Sequence, residues 1–170
     1  MSPEEFFNRA LERYERPLIG YARGITGDLE SARDAVQETF LRLSKQNIIA
    51  LEPRLAPWLF FVCRNCALDH KRKVVRFSVT DAVDNNVADS GPSPAEEVSS
   101  AEDATQLRAL VGRLPEKQQE LVRLKFEAGL SYREIGEVMR MSVNNVGVQL
   151  HNAILTLRQQ WNRANTPILP

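Results

Sequence analysis

Apolar residues along this chain recur three and four positions apart, which is the spacing of a helix face rather than the alternation of a strand. Ser2, followed by Pro3 and two glutamates, is typical of a helix start. Apolar positions continue to residue 25, and Pro17 is expected to kink or restart this helix. Similar stripes predict a second helix over residues 29–45 and a third over residues 56–76, with a loop between them.

The helical pattern stops after residue 76. Residues 77–101 contain no basic residue, and Asp, Asn, Ser, Gly and Pro are frequent among them. This composition favours a flexible linker, because it offers too little apolar surface to bury. Helical spacing then resumes. The pattern predicts an all-α fold in which two small helical domains, 1–76 and 102–170, are joined by a flexible acidic linker.

Residues 130–150 predict two short helices joined by a tight turn. Ser131 can cap the first helix, and Glu134 three residues later completes a capping box. Ser142 can cap the second helix, while Gly136 leaves room for a close approach between the two. Crossed helices with a small residue at the contact are typical of a helix-turn-helix, whose second helix usually enters the major groove of DNA.

The formal net charge of +0 hides an uneven distribution. Residues 1–76 hold 13 basic and 10 acidic side chains, residues 77–103 hold 7 acidic and no basic ones, and residues 104–170 hold 9 basic and 5 acidic ones. The first basic block ends in a cluster that would attract nucleic-acid phosphates. The sequence has no bilayer-length apolar run and no signal-peptide pattern, so we expect a cytoplasmic protein without membrane insertion.

Cys63, Cys66 and His70 could share one side of the third helix, which leaves a thiol or zinc sensor open as an alternative. Both cysteines also fall on the apolar stripe of that helix, so we favour buried thiols that act as small hydrophobic side chains. The sequence shows no Ser-His-Asp grouping, no carboxylate pair and no glycine-rich phosphate loop. We therefore expect neither an enzyme nor a bound cofactor.

Three stretches of the chain form a series. Asp34–Leu41 reads DAVQETFL, Trp58–Arg72 reads WLFFVCRNCALDHKR, and Leu114–Val122 reads LPEKQQELV ahead of the helix-turn-helix. In this order they resemble the D-x-V-Q-E-x-F-L, W-L-x-x-I-A-R-N-x-x-x-D-x-x-R and L-P-x-x-x-R-x-V patterns of bacterial RNA polymerase sigma factors of the extracytoplasmic-function type, in the sigma-70 family. The resemblance covers most of residues 5–160.

The resemblance implies a promoter-specificity factor and suggests contacts for the first domain. In this family the second-helix motif docks on the beta-prime clamp helices of core RNA polymerase, and the beta flap is a further partner surface. The residues that this places on polymerase are Asp34, Gln37, Glu38 and Arg42.

The following loop, here residues 46–54, captures a flipped minus-10 base in the family. The third helix contacts the melted strand, which maps onto Asn65, Asp69, Lys71, Arg72, Lys73 and Arg76. Trp58, Phe60 and Phe61 are expected mainly in the core.

The second helix of the helix-turn-helix departs from the family pattern V-K-S-R-L-x-R-A. From Val146 it reads VGVQLHNA, so three usually basic positions are uncharged here. A step of about 100° per residue turns this polar face outward, where Asn and Gln pair with adenine edges and Val148 could meet a thymine methyl. We expect a minus-35 element that leans to adenine and thymine. Its predicted contacts are Arg133, Asn144, Asn145, Val148, Gln149, His151, Asn152 and Arg158, with Arg140 on a phosphate.

The family resemblance also implies an anti-sigma factor as a partner, and a path for the acidic linker through the RNA-exit channel of polymerase.

Arg140 stands where the turn often carries Gly, and a left-handed conformation would cost Arg roughly 1 kcal/mol. This predicts a different turn geometry.

The alternative to a sigma factor is a two-domain helix-turn-helix regulator that binds duplex DNA without joining polymerase. Such a regulator would not need the Asp34–Leu41 motif.

Overall fold

The computed structural model describes residues 1–78 and 98–167, so most of the predicted linker lies outside the described residues. Every regular element in the described residues is a helix, which confirms the all-α prediction. The elements form an N-terminal lobe, residues 1–78, and a C-terminal lobe, residues 98–167.

Three long helices make the N-terminal lobe: α1 (Pro3–Thr26), α2 (Leu29–Leu43) and α4 (Leu55–Ser78). Each of the three packs on the other two. Leu18 and Phe60 are fully buried between them, and the Tyr21 ring meets the edge of Phe60 with 5.6 Å between ring centroids. The predicted apolar stripes therefore converge on one core.

Side-chain hydrogen bonds cap the starts of both α1 and α2, and the start at Ser2 is the one predicted. Ser2 and Glu5 form a capping box at the start of α1. Gly27 ends that helix with a φ of 84°, and its N–H donates to the carbonyl of Arg23. Asp28 then accepts a hydrogen bond from the backbone N–H of Ser31 and begins α2. Local side-chain hydrogen bonds thus fix both boundaries.

The structure corrects two expectations for this lobe. Helix α1 is one helix through Pro17, so the expected restart does not occur. Residues on both sides of Pro17 are buried against α2 and α4, and this packing outweighs the missing N–H. The segment 46–54 is not a plain loop either. It contains a short helix α3 (Ile48–Leu51), capped by the Asn47 side chain, and a 3-10 turn over Glu52–Arg54.

The C-terminal lobe contains α5 (Val98–Gly112), α6 (Glu116–Val122), α7 (Tyr132–Met139) and α8 (Val143–Asn165). The side-chain amide of Gln119 donates to the carbonyls of Gly112 and Leu114, at 3.0 and 2.7 Å, and ties the turn between α5 and α6. Helix α6 continues into a π-helical turn at Arg123–Glu127.

Several large apolar side chains of the helices are exposed. Among them are Leu29, Leu107, Phe126, Tyr132 and Val143.

The helix-turn-helix forms as the capping pattern predicts. Ser131 and Glu134 make the capping box of α7, and Ser142 accepts from the N–H of Asn145 at the start of α8. A Cβ at Gly136 would lie 2.7 Å from the carbonyl oxygen of Met141, so only Gly fits against the turn. Arg140 adopts the left-handed conformation, with φ 52° and ψ 52°, so the expectation of a different turn geometry is wrong.

The two lobes lie in direct contact. Helix α4 packs on α7, and α1 touches α6 and the π-helical turn. The buried residues of both lobes form one continuous cluster. Helix α4 is consequently enclosed by its own lobe on one side and by the helix-turn-helix on the other.

Phe60→Ala should lower the free energy of unfolding by about 3–5 kcal/mol, because Phe60 is fully buried where the three long helices meet. Urea denaturation followed by far-ultraviolet circular dichroism measures this change. Val74→Ala, at an exposed position of the same helix, is the matched control and should stay within about 0.5 kcal/mol of the unsubstituted chain. Equal stabilities of the two variants would contradict the packing described.

Candidate functional site

The start of α8 presents a polar and uncharged surface. Val146 and Leu150 are buried on its inner side, which orients the helix. The predicted outer residues Asn144, Asn145, Val148, His151 and Asn152 are all exposed, and Gln149 is half-buried. The backbone N–H of Asn145 donates the capping hydrogen bond to Ser142 Oγ, so this bond leaves the side-chain amide of Asn145 available to a ligand. The arrangement can donate to and accept from base edges.

Two exposed apolar side chains extend this surface and were not predicted as part of it. They are Tyr132, in the first turn of α7, and Val143, in the first turn of α8. The ammonium of Lys125 lies 5.0 Å from the centre of the Tyr132 ring. Arg133 and Arg158 are exposed on α7 and α8, where they can reach phosphates. The only sequence signal for the exposure of Tyr132 and Val143 was their position in the first turn of a helix.

The end of α4 forms a second candidate surface, which is basic. Arg72 lies 3.5 Å from Asp69 one turn earlier, and both side chains are more than half exposed. Lys73 and Arg76 are exposed as well. Lys71 pairs with Glu116 of the C-terminal lobe at 3.2 Å. Asn65 is half-buried. Four of the six predicted minus-10 residues are therefore freely exposed, and two are at least partly covered.

A third candidate surface lies on α2. Asp34 and Gln37 are exposed, and Arg42 Nε donates to Glu38 Oε1 at 3.1 Å. This hydrogen bond raises the pKa of Arg42, which keeps its guanidinium charged. Leu41 is exposed between these polar residues, although no contact was predicted for it. The structure thus brings four predicted polymerase contacts onto one face around an apolar side chain.

The aromatic residues of α4 divide into two groups. Phe60 is fully buried, which confirms its assignment to the core. Trp58 and Phe61 are only partly buried and line an open groove of about 500 Å³ towards α7. The guanidinium of Arg140 lies 5.0 Å from the centre of the Phe61 ring. These two rings stand at the contact between the lobes rather than deep inside one of them.

The two cysteines are buried thiols, as predicted. Cys63 is fully enclosed and its sulfur contacts the carbonyl of Leu18 at 3.9 Å. Burial raises the pKa of Cys63 to about 12, and burial also raises the pKa of Cys66. Neither environment favours the thiolate that redox or metal chemistry requires. Within residues 1–78 and 98–167, no group of three or more His, Cys, Asp and Glu side chains could hold a metal ion.

The fold and the candidate surfaces define a class of protein. It is a two-lobed helical protein with a helix-turn-helix on one lobe and a basic surface on the other. Family models agree with this class. Residues 10–77 match the model "Sigma-70 region 2", and residues 104–157 match the model "Sigma-70, region 4".

Among curated proteins, the chain is 28% identical to the ECF RNA polymerase sigma factor SigM of Bacillus subtilis (strain 168) over 155 residues, which are 89% of this chain and 93% of SigM. It is 25% identical to the probable RNA polymerase sigma factor RfaY of Xanthomonas campestris pv. campestris, over 92% of this chain but only 40% of RfaY. The chain belongs to the sigma-70 family of RNA polymerase sigma factors and to its ECF type.

The fold has a counterpart among solved structures. The sigma factor RpoE of Bartonella quintana, crystallised with the anti-sigma factor NepR, superposes with a TM-score of 0.70 at 20% identity. The match covers 90% of this chain and 94% of that one. Among the residues described for this chain, none belongs to a helix that is both long and apolar enough to cross a membrane.

Deleting the Cys63 thiol should change how stability depends on pH. Since the pKa rises from 9.0 in the unfolded chain to about 12 in the folded one, the unfolded chain loses its proton first. The stability contribution is complete below about pH 9 and is lost as pH rises towards 12, by up to about 1.4 kcal/mol per pH unit.

Urea denaturation of the unsubstituted chain and of Cys63→Ala, between pH 8 and pH 10.5, measures this difference. The unsubstituted chain should lose stability more steeply above pH 9. Identical slopes for the two proteins, or stoichiometric zinc in the purified chain, would contradict the assignment of a buried neutral thiol.

Proposed function

We propose that this sigma factor directs promoter-specific initiation by joining core RNA polymerase and contacting the promoter at two separate elements. Two surfaces suited to DNA, one on each lobe, support the proposal. The surface at the end of α4 is basic, and the surface at the start of α8 is polar and uncharged. The factor binds and positions, and polymerase supplies the catalysis. The matching domains would be 1–76 and 102–170, joined by the acidic linker 77–101, and the site of action is the cytoplasm.

Core polymerase would bind at the exposed face of α2. Asp34 and Gln37 offer uncommitted polar groups, while Glu38 and Arg42 already hold each other in position. An exposed pair of this kind contributes little to the stability of the fold, so a partner can recruit either side chain at low cost. Leu41 adds the apolar contact that a specific protein interface usually contains. The beta-prime clamp helices are the expected counterpart, with the beta flap as a further contact of the C-terminal lobe.

Melted minus-10 DNA would bind along α4. Lys71, Arg72, Lys73 and Arg76 would neutralise phosphates, which makes binding depend on salt. Asn65 and Asp69 can hydrogen-bond to bases that have left the stack. The partly buried rings of Trp58 and Phe61 lie nearer the start of the same helix and offer stacking surfaces. Affinity for unstacked bases favours the single-stranded form and would hold the promoter open.

Minus-35 DNA would bind as a duplex at the start of α8. Asn144, Asn145, Gln149 and Asn152 carry amides that match the donor and acceptor pattern of adenine in the major groove. Val148 and His151 complete this face. Arg133 and Arg158 would fix the helix on the phosphates, so positioning and base reading fall to different residues.

An anti-sigma factor is the remaining partner we propose. Support comes from the solved structure of the same fold, which was crystallised with an anti-sigma factor.

The direct test of the whole proposal is in vitro transcription with core polymerase and a promoter library. Adding the chain should create initiation at a defined promoter class. Unchanged start sites would refute the proposal, and binding to duplex DNA without polymerase would favour the alternative of a plain regulator.

Asn145→Ala should reduce transcription from the preferred promoter by about 5- to 150-fold, since one bidentate amide–adenine pair contributes about 1–3 kcal/mol of discrimination. The reduction should shrink when the minus-35 adenines are replaced. Gln159→Ala, at an exposed position further along α8, is the matched control and should leave transcription unchanged. An Asn145→Ala variant with full activity and unaltered sequence preference would argue against this reading helix.

Lys73→Ala should weaken binding of the polymerase–sigma complex to many promoter sequences alike, because a phosphate contact carries no base information. The slope of log K against log salt should become shallower by about 1. Lys117→Ala removes another exposed lysine, on α6 and outside the basic surface, and should leave that slope unchanged. Fluorescence anisotropy with labelled promoter DNA at several salt concentrations measures both, and equal slopes would remove Lys73 from the interface.

A further inference from the structure

A tyrosine ring covers one position on the outward surface of α8. A Cβ built on Gly147 would stand 3.6 Å from Cε2 and 3.8 Å from Cδ2 of Tyr132. The Tyr132 side chain, which comes from the first turn of α7, therefore lies where a side chain at position 147 would begin. Tyr132 is still 40% exposed, so part of its surface remains open to a ligand.

Packing alone does not require glycine at position 147. Contacts of 3.6–3.8 Å are ordinary van der Waals distances, so Ala would fit there, in contrast to the tightly packed Gly136. Gly147 also weakens the interior of α8 relative to Ala. What glycine provides is space, because a long side chain would extend from Cβ into the Tyr132 ring. The ring and a lysine at position 147, as in the family pattern, therefore compete for the same place.

A cation holds the same ring from another side. The ammonium of Lys125 lies over the Tyr132 ring, 5.0 Å from its centre, and donates a long hydrogen bond of 3.5 Å to the carbonyl of Leu130. Lys125 belongs to the π-helical turn that precedes α7. Gly147 thus faces the Cδ2–Cε2 edge of the ring while Lys125 lies over its face, and the two contacts together orient it.

The surface around Gly147 is apolar. Val143 lies one turn before Gly147 on the same face of α8 and is 51% exposed, and the adjacent Val148 is 50% exposed. Tyr132 adds its ring between the two helices of the motif. The apolar group that a base pair presents in the major groove is the 5-methyl group of thymine. This part of the surface therefore suits thymine better than guanine, which is read by basic side chains.

We propose that Tyr132 determines sequence specificity: its ring, seated over Gly147, packs against the 5-methyl group of one thymine in the minus-35 duplex. The base pair that faces position 147 is then read by the first helix of the motif, through an apolar contact, in addition to the reading by amides of α8. The contact rests on the proposed function, because it requires minus-35 binding by the helix-turn-helix.

Replacing thymine by uracil removes this methyl group and leaves the base-pairing edge unchanged. The probe is the promoter that polymerase and the chain select from the library, with each thymine of its minus-35 duplex replaced in turn. Fluorescence anisotropy measures its binding to the polymerase–sigma complex. One replacement should weaken binding about fourfold, the effect of exposing one methyl-sized apolar group. In Tyr132→Ala the same replacement should have no effect, while a thymine that faces Val148 should keep its effect.

Tyr132→Phe separates the ring from the hydroxyl. Phe keeps the ring over Gly147, so the uracil replacement should still weaken binding about fourfold. If Tyr132→Phe loses this effect as Tyr132→Ala does, the hydroxyl makes the contact and the reading by the ring is wrong. Thermal unfolding followed by circular dichroism checks that both variants keep the fold, as expected for a side chain at the surface.

Gly147→Lys displaces the ring without removing it. The base pair that was sensitive to uracil should now favour guanine by about fivefold or more, because lysine donates to guanine O6 and N7. Gly147→Ala is the matched control: its Cβ fits against the ring, so the sensitivity to uracil and the preference for thymine should persist. A Gly147→Lys variant that stays sensitive to uracil at the same position would show that the ring and the lysine do not compete, and would overturn the proposal.

Failure of the proposed function gives a different result from failure of the Tyr132 contact. If a sequence is selected but no thymine loses its effect in Tyr132→Ala, only the Tyr132 contact is wrong. If the chain selects duplex DNA without polymerase, the same uracil-containing duplexes and the chain alone still decide whether Tyr132 reads a methyl group. If neither the chain nor its complex with polymerase selects any sequence, the proposed function and the Tyr132 contact are both wrong.

Discussion

Helix α4 is packed on two sides, and this constraint organises the molecule. Phe60 faces inward to the core of the N-terminal lobe, while the neighbouring Phe61 faces the helix-turn-helix. Arg64, one turn later, reaches Glu120 of the other lobe, and the following turns carry the basic cluster. Because a helix advances by about 100° per residue, one segment can support a core, a lobe contact and a candidate DNA surface at once. A substitution that shifts α4 on one side therefore also moves the residues on its other sides.

Features with a local cause could be predicted from the sequence. The caps at Ser2, Ser131 and Ser142 depend on residues within three positions of each other, and all three formed. The exposed face of α8 followed from helical periodicity once Val146 and Leu150 were taken as buried. The three motifs were short and continuous, so the family could be identified although identity to the relatives is low.

Contacts between distant residues could not be predicted. Tyr21 and Glu120 are separated by 99 positions, and no pattern in either helix names the other as a partner. The same limit explains Pro17 and Arg140, where tertiary packing or a capping geometry holds a residue that local preference disfavours. It also explains the half-exposed rings of Trp58 and Phe61. Their role depends on a helix-turn-helix more than seventy residues further along the chain.

The central claim is that one chain holds a promoter at two separate elements, each through its own lobe. Site-specific photocrosslinking within the polymerase–promoter complex tests this directly, with the crosslinker placed at Arg72 in one protein and at Asn145 in another. Arg72 should crosslink to the melted minus-10 strand and Asn145 to the minus-35 duplex. Crosslinks from both positions to the same DNA block, or from Asn145 to single-stranded DNA alone, would contradict it.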